Sequence, residues 1–316
     1  MSIRRLAMRW GPPVLLAVPL LIGLAGVSGV GHRWVDILAQ FTAPALVATI
    51  GLSVAFVLLR RWRLGIGALG VLSVLLVAVW PQWWPTTEKP ELGAPVVRLY
   101  SANLFYRNDD VAAIRRSIVA ADPDIVILLE LGREPARRSD ELLADYPYRV
   151  APPGVVDQFR GPWRSVIASR YPLIEVPGRA DGLHDVAAIA QTPLGNLNIV
   201  GVHLTRPWPF QEQWGQISQT NALAAVTRDM TGPVIVAGDF NSVSSARIGK
   251  QVQRETGLIP APGFPGTWPS PLPSPLGMTI DQVYHSPDLA VVSRRLGLRT
   301  GSDHRPVVTE ITRAAR

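Results

Sequence analysis

Apolar positions follow two different patterns along this chain. In the first eighty residues they run almost unbroken: Val14 to Val30, Ile37 to Leu59 and Leu64 to Trp80 are free of charge over 17, 23 and 17 residues. A bilayer-crossing helix needs roughly 17 to 25 such residues, so the pattern predicts three transmembrane helices, with Pro19 and Pro44 tolerated inside them. The first run also has the makings of a signal peptide, since Arg4, Arg5 and Arg9 precede it and Val27-Ser28-Gly29 offers small residues. The two later runs anchor the chain whether or not the first is cleaved.

Beyond Trp80 the apolar runs shorten and alternate with polar segments. Pro81 to Pro95 holds four prolines and reads as a linker. Val96 to Asn103 is a predicted strand, Asp109 or Asp110 caps a predicted helix that runs through Ala121, and Ile125 to Leu129 has the continuous apolar character of a buried strand. Strands are also predicted at Ser165 to Ser169, Leu197 to His203 and Val234 to Ala237, with an amphipathic helix at Gln211 to Met230 whose apolar face suits core packing. Leu258 to Gly277, rich in Pro and Gly, is a long irregular loop of the kind that serves function or moves. The expected organisation is a membrane anchor over 1–84, a linker over 85–95 and a catalytic domain over 96–316.

Charge and composition refine this division. Apolar residues make up 47% of the 316, more than a purely water-soluble protein of this length carries. Residues 1–84 hold seven of the 31 basic residues and one of the 24 acidic ones, so the remainder is close to neutral. The sequence pI near 10.3 therefore gives no grounds for a broad duplex-DNA footprint. Basic residues before the first run and at Arg60, Arg61 and Arg63 place the N-terminus and that loop in the cytoplasm, leaving everything after Trp80 extracytoplasmic. Trp80, Trp83 and Trp84 suit an interfacial belt. The chain has no cysteine, which excludes disulfides and thiolate metal ligands and is compatible with an oxidising compartment.

Two short runs concentrate the chemistry: Gly238-Asp239-Phe240-Asn241, directly after a predicted strand, and Ser302-Asp303-His304 ahead of Val307-Val308, with Ile280-Asp281 between them. Alternate residues of a strand share a face, so Asp239 and Asn241 project together at its end. Phosphoester hydrolysis requires an activated water, neutralisation of phosphoryl oxygens and stabilisation of the leaving oxygen. Glu130 and Asp303 offer hard oxygen ligands for Mg²⁺. Asp239 can deprotonate a water while Asn241 orients substrate or water, and His203 and His304 can donate to non-bridging oxygens. Asp281 is the natural partner to hold the His304 ring. The pair could equally be the general base, and the residues alone leave Asp239 and His304 both open as proton acceptor. His32, His184 and His285 have no such company and read as structural or interfacial. Arg206, Trp208 and Phe210, close behind His203, are candidates to shape a cleft or touch the bilayer.

In order along the chain, Ser101-Ala102-Asn103, Leu129-Glu130, Val202-His203-Leu204, Gly238-Asp239-Phe240-Asn241, and Ile280-Asp281 followed by Ser302-Asp303-His304 resemble the motifs of the endonuclease/exonuclease/phosphatase superfamily, the deoxyribonuclease I-like fold. Ser169-Arg170-Tyr171-Pro172 resembles a further strand end of that family. The resemblance spans roughly residues 96–312. It implies an α/β (α+β) four-layer sandwich of two mixed β-sheets flanked by helices, dependence on Mg²⁺ or Mn²⁺, service of the metal by Asn103 and Glu130, and pairing of His304 with Asp281. Phe105 stands where nuclease-like members often carry a second acidic residue and Thr279 where they often carry Arg, which weakens the transfer of DNA-repair activity. The N-terminal spans resemble a membrane-anchored bacterial subgroup.

The expected function is a phosphodiesterase tethered to the bacterial inner membrane, acting on nucleic acid or on lipid or sugar-phosphate head groups. Its expected partners are that substrate and the bilayer, with no protein partner. A non-catalytic receptor or scaffold that keeps the fold is the alternative. A transporter is disfavoured, because the three apolar runs contain no ionisable residue to mark an ion path.

Overall fold

The computed structural model describes the backbone of residues 3–151, 164–176, 182–207 and 213–315, with side chains from residue 14 onward. Among the described residues the chain begins with α1 (Ile3–Ser28), α2 (Arg33–Ala39), α3 (Thr42–Leu58) and α4 (Trp62–Trp83). There follow β1 (Val97–Asn103), α5 (Val111–Ala121), β2 (Ile125–Leu129), α6 (Arg133–Arg137), α7 (Ser139–Leu142), β3 (Tyr148–Val150), β4 (Val166–Ser169), β5 (Leu173–Glu175), β6 (Asp185–Thr192) and β7 (Gly195–His203). The chain continues through α8 (Trp214–Arg228), β8 (Val234–Asp239), α9 (Arg247–Thr256), β9 (Ile259–Pro260), β10 (Asp281–His285), β11 (Leu289–Leu296) and β12 (Val307–Arg313).

The strands form two six-stranded mixed sheets, ordered β11-β12-β1-β2-β4-β3 and β5-β6-β7-β8-β10-β9. Leu99, Ile125, Ile127 and Leu129 of the first sheet pack against Val186, Leu197, Ile199 and Ala237 of the second, which is the central core. The other face of the first sheet buries Tyr100, Val126 and Leu128 against Ile114 and Ile118 of α5. The other face of the second buries Val200, Val202 and Val236 against Leu223 of α8 and Ile248 and Val252 of α9. Strands covered on both faces need apolar residues at every position rather than at alternate ones, which is why Ile125–Leu129 is continuously apolar. Helix α5 starts where Asp110 Oδ1 accepts the Ala113 amide at 2.8 Å.

Parallel pairing of β1 with β2 brings Asn103 level with Leu129, and parallel pairing of β7 with β8 brings His203 level with Asp239. Antiparallel β10 sets Asp281 opposite Asp239. The motif residues therefore come together at one end of the two sheets.

The N-terminal helices depart from the expected three spans. The run from Ile37 is broken between Ala39 and Thr42, leaving α3 with 17 residues in place of the expected 23, at the short end of the roughly 17 to 25 that a span needs. By length and composition α4 alone qualifies, and Val14–Ser28 with α2 qualifies only as a pair bent by 112°. One or two candidate spans result. The helices pack closely: a Cβ on Gly26 would lie 2.8 Å from Thr42 Cγ2, so only glycine lets α1 approach α3 there.

The linker is not a free tether. Helix α4 continues through Pro81 to Trp83, and the Gly263 amide donates to the Gln82 carbonyl at 2.8 Å, fastening the end of α4 to the Pro/Gly-rich loop. The Trp83 and Phe264 rings meet edge-on at 4.8 Å. Glu91 donates to the Arg313 carbonyl and Ala315 to the Lys89 carbonyl, so this segment pairs with the C-terminal end of β12. Helix α2 docks on the same domain, where Asp36 accepts the Arg247 amide at 2.7 Å and a short bond from the Gln213 side chain.

Candidate active site

The site is assembled from the ends of β1, β2, β7, β8 and β10 and the turn before β12. Asn103 closes β1, and its Nδ2 donates to Glu130 Oε1 at 2.9 Å and to Asp239 Oδ2 at 3.0 Å. Its Oδ1 accepts the Phe105 amide at 2.9 Å. Glu130, immediately after β2, adopts φ +50°, and Phe105 and Asn241 take φ +59° and +48°. Left-handed backbone is unfavourable for side chains such as Glu and Phe and costs about 1–3 kcal/mol each. Here it turns Glu130 back into the cleft, where Oε2 accepts the Tyr106 amide at 3.3 Å.

Asp239 lies at the centre, with only 1% of its surface exposed. Its Oδ1 accepts the Asn241 amide at 2.8 Å. Oδ2 lies 3.7 Å from His203 Nε2 and 3.8 Å from His304 Nε2, and His203 Nε2 is also 3.4 Å from Glu130 Oε1. Asn241 Nδ2 donates to the Leu204 carbonyl at 2.9 Å, fixing the turn after β8 to the end of β7. Gly238 makes this crossing possible: a Cβ there would stand 2.0 Å from the Val202 carbonyl oxygen, and its φ of +149° excludes other residues.

His304 Nδ1 donates to both Asp281 oxygens, at 2.9 and 3.1 Å. Burial by itself would pull the imidazole down, but the Asp281 and Asp239 charges outweigh it and push it up to about 10. Burial pushes Asp239 up to about 6, offset by the positive charge of His304 and reinforced by Asp281. An ionised Asp239 and a protonated His304 therefore support each other at neutral pH.

Among the described residues two groups have the spacing to hold a metal ion, Glu130–His203–Asp239 and Asp239–Asp281–His304. The first fits a hard divalent cation better. Glu130 and Asp239 converge two carboxylates on the one Asn103 amide, and such crowding of like charges favours a cation. In the second group the Asp281 carboxylate is already engaged by His304. Asp303 belongs to neither group. Its carboxylate lines the same cleft but accepts the Trp268 indole N–H at 3.3 Å.

The cleft has a volume of about 310 Å³ and is bordered by Glu130, His203, Asp239, Asn241, Asp303 and His304. Of the expected cleft-shaping residues, Arg206 lines it, while Trp208, Phe210 and the predicted start of the helix at Gln211 lie outside the described residues. His285 is buried against the Ser286 carbonyl and His32 caps α2, both away from the cleft. Two contributions escaped the sequence reading. Ser302 Oγ donates to the Asn103 carbonyl at 2.8 Å and accepts the His304 amide at 3.0 Å, so the serine of Ser-Asp-His ties the histidine turn to β1. Gln40, from the anchor, also borders the cleft.

The model of the Endonuclease/Exonuclease/phosphatase family matches residues 100–304, well over half of the chain. The chain belongs to this family. Solved structures agree in fold. An endonuclease/exonuclease/phosphatase from Beutenbergia cavernae is 21% identical, with a TM-score of 0.53 over 70% of this chain and 72% of that one. The human Nocturnin catalytic domain, solved with a bound sulfate anion, is 18% identical, with a TM-score of 0.54 over 72% of this chain and 99% of that one. Sphingomyelinase C from Streptomyces griseocarneus is 14% identical, with a TM-score of 0.50 over 68% and 99%. No curated protein sequence matches the chain. Members of the endonuclease/exonuclease/phosphatase family are generally hydrolases of phosphoester bonds, and the cleft carries polar residues of the kinds such chemistry requires.

Proposed function

We propose that this chain is a membrane-anchored, divalent-metal-dependent phosphodiesterase whose catalytic domain faces the extracytoplasmic side. The observation that carries the reading is the convergence of Asn103, Glu130, His203 and His304 on the buried carboxylate of Asp239. Glu130 would hold the cation, Mg²⁺ or Mn²⁺, with the Asp239 carboxylate and His203 beside it. The bound ion supplies neutralisation of phosphoryl charge and stabilisation of the leaving oxygen.

Asp239 accepts the proton of the attacking water, and the Asn241 turn fixes the direction of its carboxylate. His304, kept protonated by Asp281, donates to a non-bridging phosphoryl oxygen. This reading takes Asp239 as the base, and the rise of the His304 imidazole beside the Asp281 and Asp239 charges supports it. His203, whose Nε2 lies 3.7 Å from the same Asp239 oxygen, provides a second donor. The docking of α2, which lies between the first two apolar runs, against the catalytic domain supports placing both on the same side of the bilayer.

The test uses the full-length chain in detergent with bis-p-nitrophenyl phosphate, plasmid DNA and phosphatidylcholine vesicles, each with Mg²⁺ or with EDTA. Chelator-sensitive cleavage of at least one phosphodiester is expected. Failure on all of them with metal present, or turnover indifferent to EDTA, overturns the reading.

A further inference from the structure

The anchor reaches into the cleft, which a simple tether has no reason to do. Gln40 stands between α2 and α3, borders the catalytic cleft and is only 3% exposed, and its amide nitrogen has no hydrogen-bond acceptor. A buried donor without an acceptor is destabilising, and a phosphodiester entering the cleft brings acceptors. The next residue, Phe41, begins a different surface. A groove of about 460 Å³ runs between α1 and α3, and among the described residues its lining is apolar, including Val14, Val18, Ile22, Ala45, Ala48 and Leu52. From Phe41 to Leu52 it follows eleven residues of chain, about 16 Å along a helix.

The two cavities are joined by the residues between them. Phe41 packs against the cluster containing Met278 and Ile280, and both of these also wall the cleft. The catalytic domain is held in this position at two points, by Asp36 with Arg247 and by Gln82 with Gly263. A polar, cation-suited cleft and an apolar trough thus lie on either side of the cluster of Phe41, Met278 and Ile280.

Resting on the phosphodiesterase reading, we infer that the substrate is an amphiphilic phosphodiester: its phosphate lies in the cleft against Gln40, and its alkyl or acyl chain lies in the α1–α3 groove. The alkyl or acyl chain occupies the groove, as opposed to a protein partner, because the groove begins at Phe41, next to Gln40 of the cleft, and its described residues offer no polar group to a peptide backbone. In the reaction the water oxygen forms a new P–O bond, one ester P–O bond breaks, and the proton from water passes to the departing alcohol oxygen. The products are a phosphomonoester and an alcohol.

The experiment measures p-nitrophenolate release by the full-length chain, with Mg²⁺, from methyl and dodecyl p-nitrophenyl phosphate. The dodecyl ester is expected to have a kcat/KM at least about tenfold higher, since each buried methylene adds affinity. Ala48→Leu and Ala48→Trp, a graded plug in the groove, reduce this preference stepwise towards unity. Leu69→Trp on the exposed face of α4 preserves it. Gln40→Leu lowers kcat/KM for both esters by about tenfold, because the lost donor serves the phosphate. Hydrolysis of the methyl ester with no chain-length preference, or a preference altered alike by Ala48→Trp and Leu69→Trp, overturns this inference and leaves the phosphodiesterase reading standing. No hydrolysis of either ester overturns both.

Discussion

Asp281 grips the Nδ1 edge of His304 with both carboxylate oxygens, and the opposite edge of the ring faces Asp239 Oδ2 at 3.8 Å. The imidazole is thereby held in one orientation and one charge state. Asp281→Asn keeps the shape but removes the charge that holds the proton. Turnover is expected to fall by about 10²-fold or more, mainly in kcat, as measured by steady-state hydrolysis of bis-p-nitrophenyl phosphate.

The same pair makes stability depend on pH. His304 is raised from its ordinary 6.5 to about 10 in the folded chain, so its protonation favours the folded state. That contribution is complete below about pH 6.5 and is lost as pH rises through about 10. In EDTA, thermal melting of the full-length chain is expected to fall between pH 7 and pH 10, and His304→Gln is expected to flatten that fall. Parallel profiles for the two proteins would refute the linkage.

Glu130 is positioned for the cation by a left-handed backbone and two hydrogen bonds. Glu130→Gln keeps an oxygen but removes a charge, and hard cations are bound by charge. The Mg²⁺ concentration for half-maximal activity is expected to rise by about tenfold or more, read from a metal titration of the rate.

At Gly238 the limitation is space. A methyl group would collide with the Val202 carbonyl, which is backbone and cannot swing away, and with Leu129 Cδ1 at 2.9 Å. Gly238→Ala is expected to cost about 3 kcal/mol or more, seen as a lowered melting temperature together with loss of activity.

The residues that share the cleft were more legible in the sequence than the architecture around them. Ile125–Leu129 and the Asp110-capped helix were readable because a buried strand and a helix cap leave local signatures. Asp239, Asp281 and His304 were readable because their motifs sit at strand ends. Strand β6 was not, since Asp-Val-Ala-Ala-Ile-Ala-Gln-Thr is rich in alanine, a residue depleted in strands, and is held by pairing with β7. Nor was α9, whose ten residues offer few apolar positions and whose burial comes from its neighbours.

Long-range contacts explain the remaining differences. The break between Ala39 and Thr42 lies inside an uncharged run, and only the docking of Asp36 and Gln40 on the catalytic domain reveals why the chain turns there. The orientation of Asp303 depends on Trp268, 35 residues away. The role of Ser302 depends on Asn103, 199 residues away.

The buried carboxylate at the centre gives the most direct test. Asp239→Asn replaces one oxygen by nitrogen, removing the proton acceptor and one charge while leaving the packing in place. With saturating Mg²⁺, hydrolysis of bis-p-nitrophenyl phosphate by this variant is expected to fall by about 10³-fold or more, while its circular-dichroism spectrum remains that of a folded chain. A variant that remains folded and hydrolyses the diester at the unaltered rate would contradict the assignment of this cleft as the active site.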